Sequence, residues 1–173
     1  MRARKVPNVL PFGTVSHGTM REEDLIPAFL DASDARSLKM SRADRAKWYQ
    51  LKAEWETIPD TGDTPSNVAA EHGDTLCELL TDLCDLLCNY APPYAYFGSH
   101  PGDGSDYGVW LSEDVQQDVR DNGGIVTSDN GSRDTGDTIP PAYSGERLDI
   151  NDHGNATLYH YTRGRARVIW SIV

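Results

Sequence analysis

Leu76-Cys77-Glu78-Leu79-Leu80-Thr81-Asp82-Leu83-Cys84-Asp85-Leu86-Leu87-Cys88-Asn89-Tyr90-Ala91-Pro92-Pro93-Tyr94-Ala95-Tyr96-Phe97 is where this chain changes period. Its leucines recur every three or four residues, as on one side of a helix with ~3.6 residues per turn, and Leu80 and Leu87 widen that side. The spacing predicts a long helix over about 66–90, apolar over more than one face and therefore the central element. Pro92-Pro93 cannot continue it. Beyond them aromatic residues alternate, so Tyr94–Phe97 reads as a strand and Tyr107–Leu111 as its partner.

Upstream, two shorter helices are legible. Thr19 with Glu22 fits a capping box, and Glu22, Glu23 and Asp24 suit the positive end of a helix that carries Leu25, Ile26, Phe29 and Leu30. Pro27 must sit in its first turn or kink it. Ser41 with Asp44 marks a second start, and Trp48, Leu51, Trp55 and Ile58 form its apolar stripe to about Thr57. Residues 1–12 read as an extended arm or short edge strand, and Gly13–Thr19 as a glycine-bracketed loop. Downstream, Gly98–Asp106 reads as a loop, 113–121 as a short surface helix and Ile125–Thr127 as a short strand. The Asp/Gly/Thr/Ser/Pro composition of 128–145 reads as a long polar loop. Leu148–Ile150, Thr157–Tyr161 and Val168–Val173 read as three strands joined by turns at Gly154 and Gly164. The last is apolar on both sides and is expected at a central position of its sheet.

Helices first and strands after define an α+β fold, with N-terminal helices packed on one face of a C-terminal, mainly antiparallel sheet. At 173 residues the expectation is a single domain: an arm 1–12, a helical part 20–90, and a sheet part 94–173 containing the polar loop. No apolar run approaches the ~20 residues of a membrane span. The basic start, Met1–Pro7, lacks the apolar stretch of a signal peptide, which points to a cytoplasmic protein. Cys77, Cys84 and Cys88 fall on roughly one stripe of the long helix. Two of them are seven residues apart, ~10 Å along the axis, too far to converge on one zinc, so they are expected as buried structural thiols.

The net charge of −11 is unevenly spread. Residues 1–55 carry +3, residues 56–155 carry −17, and residues 156–173 carry +3 through Arg163, Arg165 and Arg167; no lysine follows Lys52. The middle hundred residues repel polyanions, which excludes direct nucleic-acid binding by that region. Acidic loops serve solubility in many proteins. The sharper alternative is mimicry of a nucleic-acid backbone, with Asp103, Asp106, Asp114, Asp118, Asp121, Asp129, Asp134 and Asp137 presented to a partner's basic groove. The basic ends suit a phosphate or an acidic partner.

Three histidines lie in glycine-rich segments beside hydroxyls or carboxylates: His17 with Ser16 and Thr19, His100 with Asp103 and Asp106, His153 with Asp152 and Asn155. Should they converge, they would make a general base pair or a metal site. The same residue types are also what tight turns use. His100–Asp106 lacks both the Gly-Lys-Ser/Thr ending of a phosphate loop and the downstream Glu of an EF-hand, and no cofactor motif is legible elsewhere.

The pieces Ser16–Met20, Glu23–Leu30, Tyr96–Gly98, His100–Gly104, Asn151–Asn155, Thr157–Tyr159 and Ile169–Val173 resemble a family of small acidic proteins of phages, plasmids and other mobile elements. The resemblance carries no functional residue with it. It implies a context, interference with host defence. Together with the acidic middle, it leads to the expectation of a non-enzymatic binding protein in the host cytoplasm. Its partner would be a host protein with a basic nucleic-acid-binding groove, of the restriction or CRISPR type, inhibited by protein–protein contact. The alternatives are a small metal-dependent or His/Asp hydrolase using His17, His100 and His153, and a structural or regulatory accessory protein.

Overall fold

In a computed structural model, residues 9–34, 38–58, 65–128 and 139–172 are described. The element order is β1 (Gly13–His17), α1 (Glu22–Ala32), α2 (Arg42–Trp55), α3 (Pro65–Cys88), β2 (Ala95–His100), β3 (Asp103–Leu111), α4 (Val115–Asp121), β4 (Ile125–Ser128), β5 (Gly145–Ile150), β6 (Ala156–Thr162) and β7 (Arg165–Ile172). The α+β class holds, with helices early and a mainly antiparallel sheet late. The chain divides into two compact units, Met1–Trp110 and Leu111–Val173.

In the first unit, a three-stranded sheet of order β1-β3-β2 is packed by α1 and α3. The apolar stripe of α3 supplies Leu76, Leu79, Leu83, Leu86 and Leu87, all buried with Leu25, Ile26 and Phe29 of α1 and Phe97 and Val109 of the sheet. Phe29 meets Phe97 edge-on at 4.8 Å between centroids, a favourable ring geometry. The buried Ser33 hydroxyl joins α1 to α2: it donates to Phe29 O at 2.6 Å and accepts from Trp48 Nε1 at 2.8 Å.

Several local expectations are corrected. Gly13–His17 is no loop but strand β1, antiparallel to β3, with His17 opposite Asp106. Gly98–Asp106 is likewise mostly strand, the turn shrinking to Pro101-Gly102. Pairing satisfies backbone groups that a glycine-rich composition alone would leave to water. The Thr19–Glu22 capping box does not form. Arg21 is the N-cap, and Thr19 Oγ1 donates to the Asp24 carboxylate at 2.8 Å. Pro27 lies inside α1, past its first turn. The second start is as read: Ser41 Oγ accepts from Asp44 N at 3.1 Å and donates to its carboxylate at 2.8 Å.

The thiols are not buried as expected. Cys77 and Cys88 are exposed and Cys84 half-buried, because the leucines take the inward face and leave the cysteines on its flank. Burial pushes the Cys84 thiol up to about 11, and Cys88 Sγ donates to Phe97 O at 3.3 Å.

In the second unit the sheet order is β4-β5-β6-β7, with β4 parallel to β5 and the remaining pairs antiparallel. Its core row is Leu148, Leu158 and Trp170, buried together with Val115 and Val119 of α4 and Ala156. The final strand β7 is an edge strand, against the expectation of a central one. Its register shifts opposite Leu158/Tyr159, and Val168 is 50% exposed. The shift sends consecutive apolar residues to different environments, which the run Val168–Val173 does not reveal by itself.

Candidate functional site

The carboxylates singled out from the sequence take unlike roles. In the first unit, Asp103 accepts from the amide and hydroxyl of Ser105 at 2.9 and 2.8 Å, and these bonds, with a lesser contribution from His17 and His100, hold its carboxyl below the usual carboxylate range. Asp106 turns inward: Oδ2 accepts from Thr14 Oγ1 at 3.3 Å, while Oδ1 is buried with no hydrogen-bond partner among the described residues. In the second unit, Asp114 is the residue that precedes α4, and Asp118 and Asp121 follow on the helix at intervals of four and three. Asp118 accepts from Ser112 Oγ and Asp121 from Gln117 Nε2, so part of that charge is spent locally. Asp129, Asp134 and Asp137 lie outside the described residues.

The histidines behave as turn and strand residues. His17 Nε2 is 3.5 Å from Asp103 Oδ2, with both side chains largely in water. His100 Nδ1 accepts from Gly102 N at 3.0 Å, and its ring meets Trp110 edge-on at 4.7 Å. His153 belongs to the second unit, in the β5–β6 turn, exposed and 3.5 Å from Asp152. Among the described residues no three His, Cys, Asp or Glu side chains are placed to share a metal ion. No described helix is long and apolar enough to cross a membrane.

The acidic surface with the most regular build was not singled out from the sequence. Glu71, Asp74, Glu78, Asp82 and Asp85 follow one another on α3 at intervals of three, four, four and three. At ~100° per residue they fall within about 80° of one another, turned away from the leucine face, and span ~21 Å of axis. Glu71, Asp74, Glu78 and Asp85 are exposed, and among the described residues none of the four has a hydrogen bond or ion pair. Asp82 alone is paired, with Lys47 of α2 at 3.0 Å. The signal was present in the spacing, but the leucines dominate any reading of that helix for its apolar period.

Recesses open in both units among the described residues. One of about 610 Å³ lies between α1 and α2, walled by Leu30, Trp48, Tyr49 and Trp55, with Lys52 Nζ 5.4 Å from the Trp48 ring centroid. The other, about 280 Å³, is polar and lies in the second unit against Thr127, Arg147, Asp149, Asn155 and Thr157. There Asp149 accepts from Arg147 Nε at 2.5 Å and from the Thr127 hydroxyl. Compared with protein families, curated proteins and solved structures, the chain matches none.

Proposed function

We propose that this chain is a non-enzymatic acidic binding protein of a phage or mobile element. It inhibits a nucleic-acid-handling host defence complex, of the restriction or CRISPR type, by laying carboxylates into a basic groove. The observation that supports this reading is the α3 stripe: five carboxylates in ~21 Å, one per ~5 Å, four of them without an ion pair among the described residues, on a helix whose other side is anchored in the core. A nucleic-acid strand presents one charge per ~3.4 Å of axis, so the stripe offers a basic groove a comparable, slightly sparser row of anions. Such charges accelerate encounter and set partner choice, and their effect falls with salt.

The test begins with host proteins retained on the immobilised chain and displaced by double-stranded DNA. The displaced partner's affinity is then measured against salt for the wild type and for Glu71→Lys/Glu78→Lys/Asp85→Lys. The substituted positions are exposed, so the fold should persist, verified by circular dichroism. The expected loss is about a hundredfold with a flatter salt dependence, since each like-charge contact replaces an attraction. Undiminished binding by the triple variant, or a partner indifferent to DNA, would refute the reading.

A further inference from the structure

The β6–β7 hairpin has the opposite sign to its chain. Between residues 156 and 172 it holds Arg163, Arg165 and Arg167 and no acid, in a protein of net charge −11. All three arginines are exposed, and among the described residues no guanidinium of theirs has a partner. The register sets Arg165 opposite Thr162 and Arg167 opposite His160, so these four side chains share one face of the hairpin. The nearest acid on that face is Glu146 of β5, opposite His160. Strand residues two apart are separated by ~6.6 Å, about two of the ~3.4 Å charge intervals of a nucleic-acid strand. The outer edge of β7 is unpaired by any described strand.

The hairpin is also held in place before any ligand arrives. Arg163 and Gly164 both have positive φ, 50° and 76°, the conformation of the tight turn that matches strand twist. The turn is clamped by the segment before β5: Gly164 N donates to Tyr143 O at 2.8 Å and Arg163 N to Ser144 Oγ at 3.0 Å. A Cβ on Gly164 would stand 2.2 Å from Pro141 O, so the approach is as close as a glycine permits. A fixed turn lowers the ordering cost of binding.

We propose that Arg163, Arg165 and Arg167, with His160 beside them, form a contact site for the phosphodiester backbone of a single-stranded nucleic acid. All the cations are arginine, whose planar fork takes phosphate oxygens two at a time. The exposed Val168 of β7 lies opposite Tyr159, on the other face from the arginines, so among the described residues the arginine face offers no large exposed apolar side chain to a bilayer. This site is independent of the α3 stripe.

The full chain is titrated into a fluorescein-labelled single-stranded oligonucleotide and read by anisotropy, with phosphatidylserine vesicles and polyglutamate as parallel arms. Three phosphate contacts predict a log–log salt slope of about −2. Arg165→Glu/Arg167→Glu should lower affinity at least about tenfold and bring the slope near zero, and Arg165→Gln/Arg167→Gln should reduce the slope by about 1 to 2. Glu71→Lys/Glu78→Lys/Asp85→Lys should bind the oligonucleotide as well as the wild type or better, which separates the two sites. No oligonucleotide binding at low salt, unchanged affinity in both arginine variants, or stronger binding to vesicles or polyglutamate would each overturn the proposal.

Discussion

Helix α3 and the β6–β7 hairpin sort charge from core by different periods. On α3 the leucines occupy one side at intervals of three and four, and the carboxylates occupy another at the same intervals, so a single helix is both the centre of a core and an acidic surface. On the hairpin the period is two: Leu158 and Trp170 face the core, and toward the turn the same face ends in Thr162, Arg165, His160 and Arg167. The helix therefore displays its charge along its whole length, whereas this hairpin displays it only toward its turn, beyond the buried Leu158 and Trp170. The comparison teaches that a net charge of −11 describes neither surface. Each has the sign its own stretch of sequence supplies.

The largest expected effect comes from removing the buried half of either element. Leu83→Ala on α3 and Leu158→Ala on β6 delete side chains with 0% exposure. Each should lower the unfolding free energy by about 2–5 kcal/mol in a urea titration. A loss below about 1 kcal/mol from either would break the comparison, because that side chain would then not be core.

Next is Gly164→Ala, which sharpens the hairpin side. It demands positive φ from an L residue and sets its methyl against the Pro141 carbonyl. A cost of about 1–3 kcal/mol is expected. Oligonucleotide affinity should fall with it although no arginine is changed. If stability and affinity both stay at wild-type values, the turn is not clamped.

The smallest effect probes the anchor beside α3. Tyr90 Oη donates to Asp44 Oδ2 at 2.7 Å and accepts from Ser41 N at 2.9 Å, tying the start of α2 to the residues after α3. The Tyr90 hydroxyl first, and the Ser41 hydroxyl second, hold the Asp44 carboxyl below its ordinary range. A carboxylate lowered on folding contributes stability above its unfolded pKa and loses it as pH falls through the folded value. Tyr90→Phe should therefore cost about 1 kcal/mol at neutral pH, the contribution of one half-buried charge-assisted bond discounted for solvent screening, and less under acid. Urea midpoints at pH 7 and in the acid limb check this; a penalty that grows on acidification would contradict it.

Much of the fold was legible from local pattern. The α2 start was correct because Ser41 and Asp44 satisfy each other within one turn, and the α3 span because six leucines share a side. The Thr19–Glu22 box failed since Asp24 and the Arg21 backbone compete for the same hydroxyl. Gly13–Thr19 and Gly98–Asp106, which hold β1 and the facing ends of β2 and β3, read as loops because glycine and aspartate disfavour strands on average; for β1, pairing with the distant β3 overrides that average. Of the candidate site, the acidic middle was legible as composition. Its arrangement was not, because charge counted along a chain carries no direction until the helix phase is assigned.

The amino-acid sequence alone determined the class of fold, the order of its helices, the sign of charge in each segment of the chain and the stretch that forms the main core, since all of these follow from periodicity and composition within a few turns. Tertiary structure alone decided that β7 stands at an edge, that Asp106 points inward while four carboxylates of α3 stand exposed, and that the arginine turn is gripped by residues 141–144. Those outcomes depend on which distant segment a residue meets, and contacts between distant segments leave no local period to read.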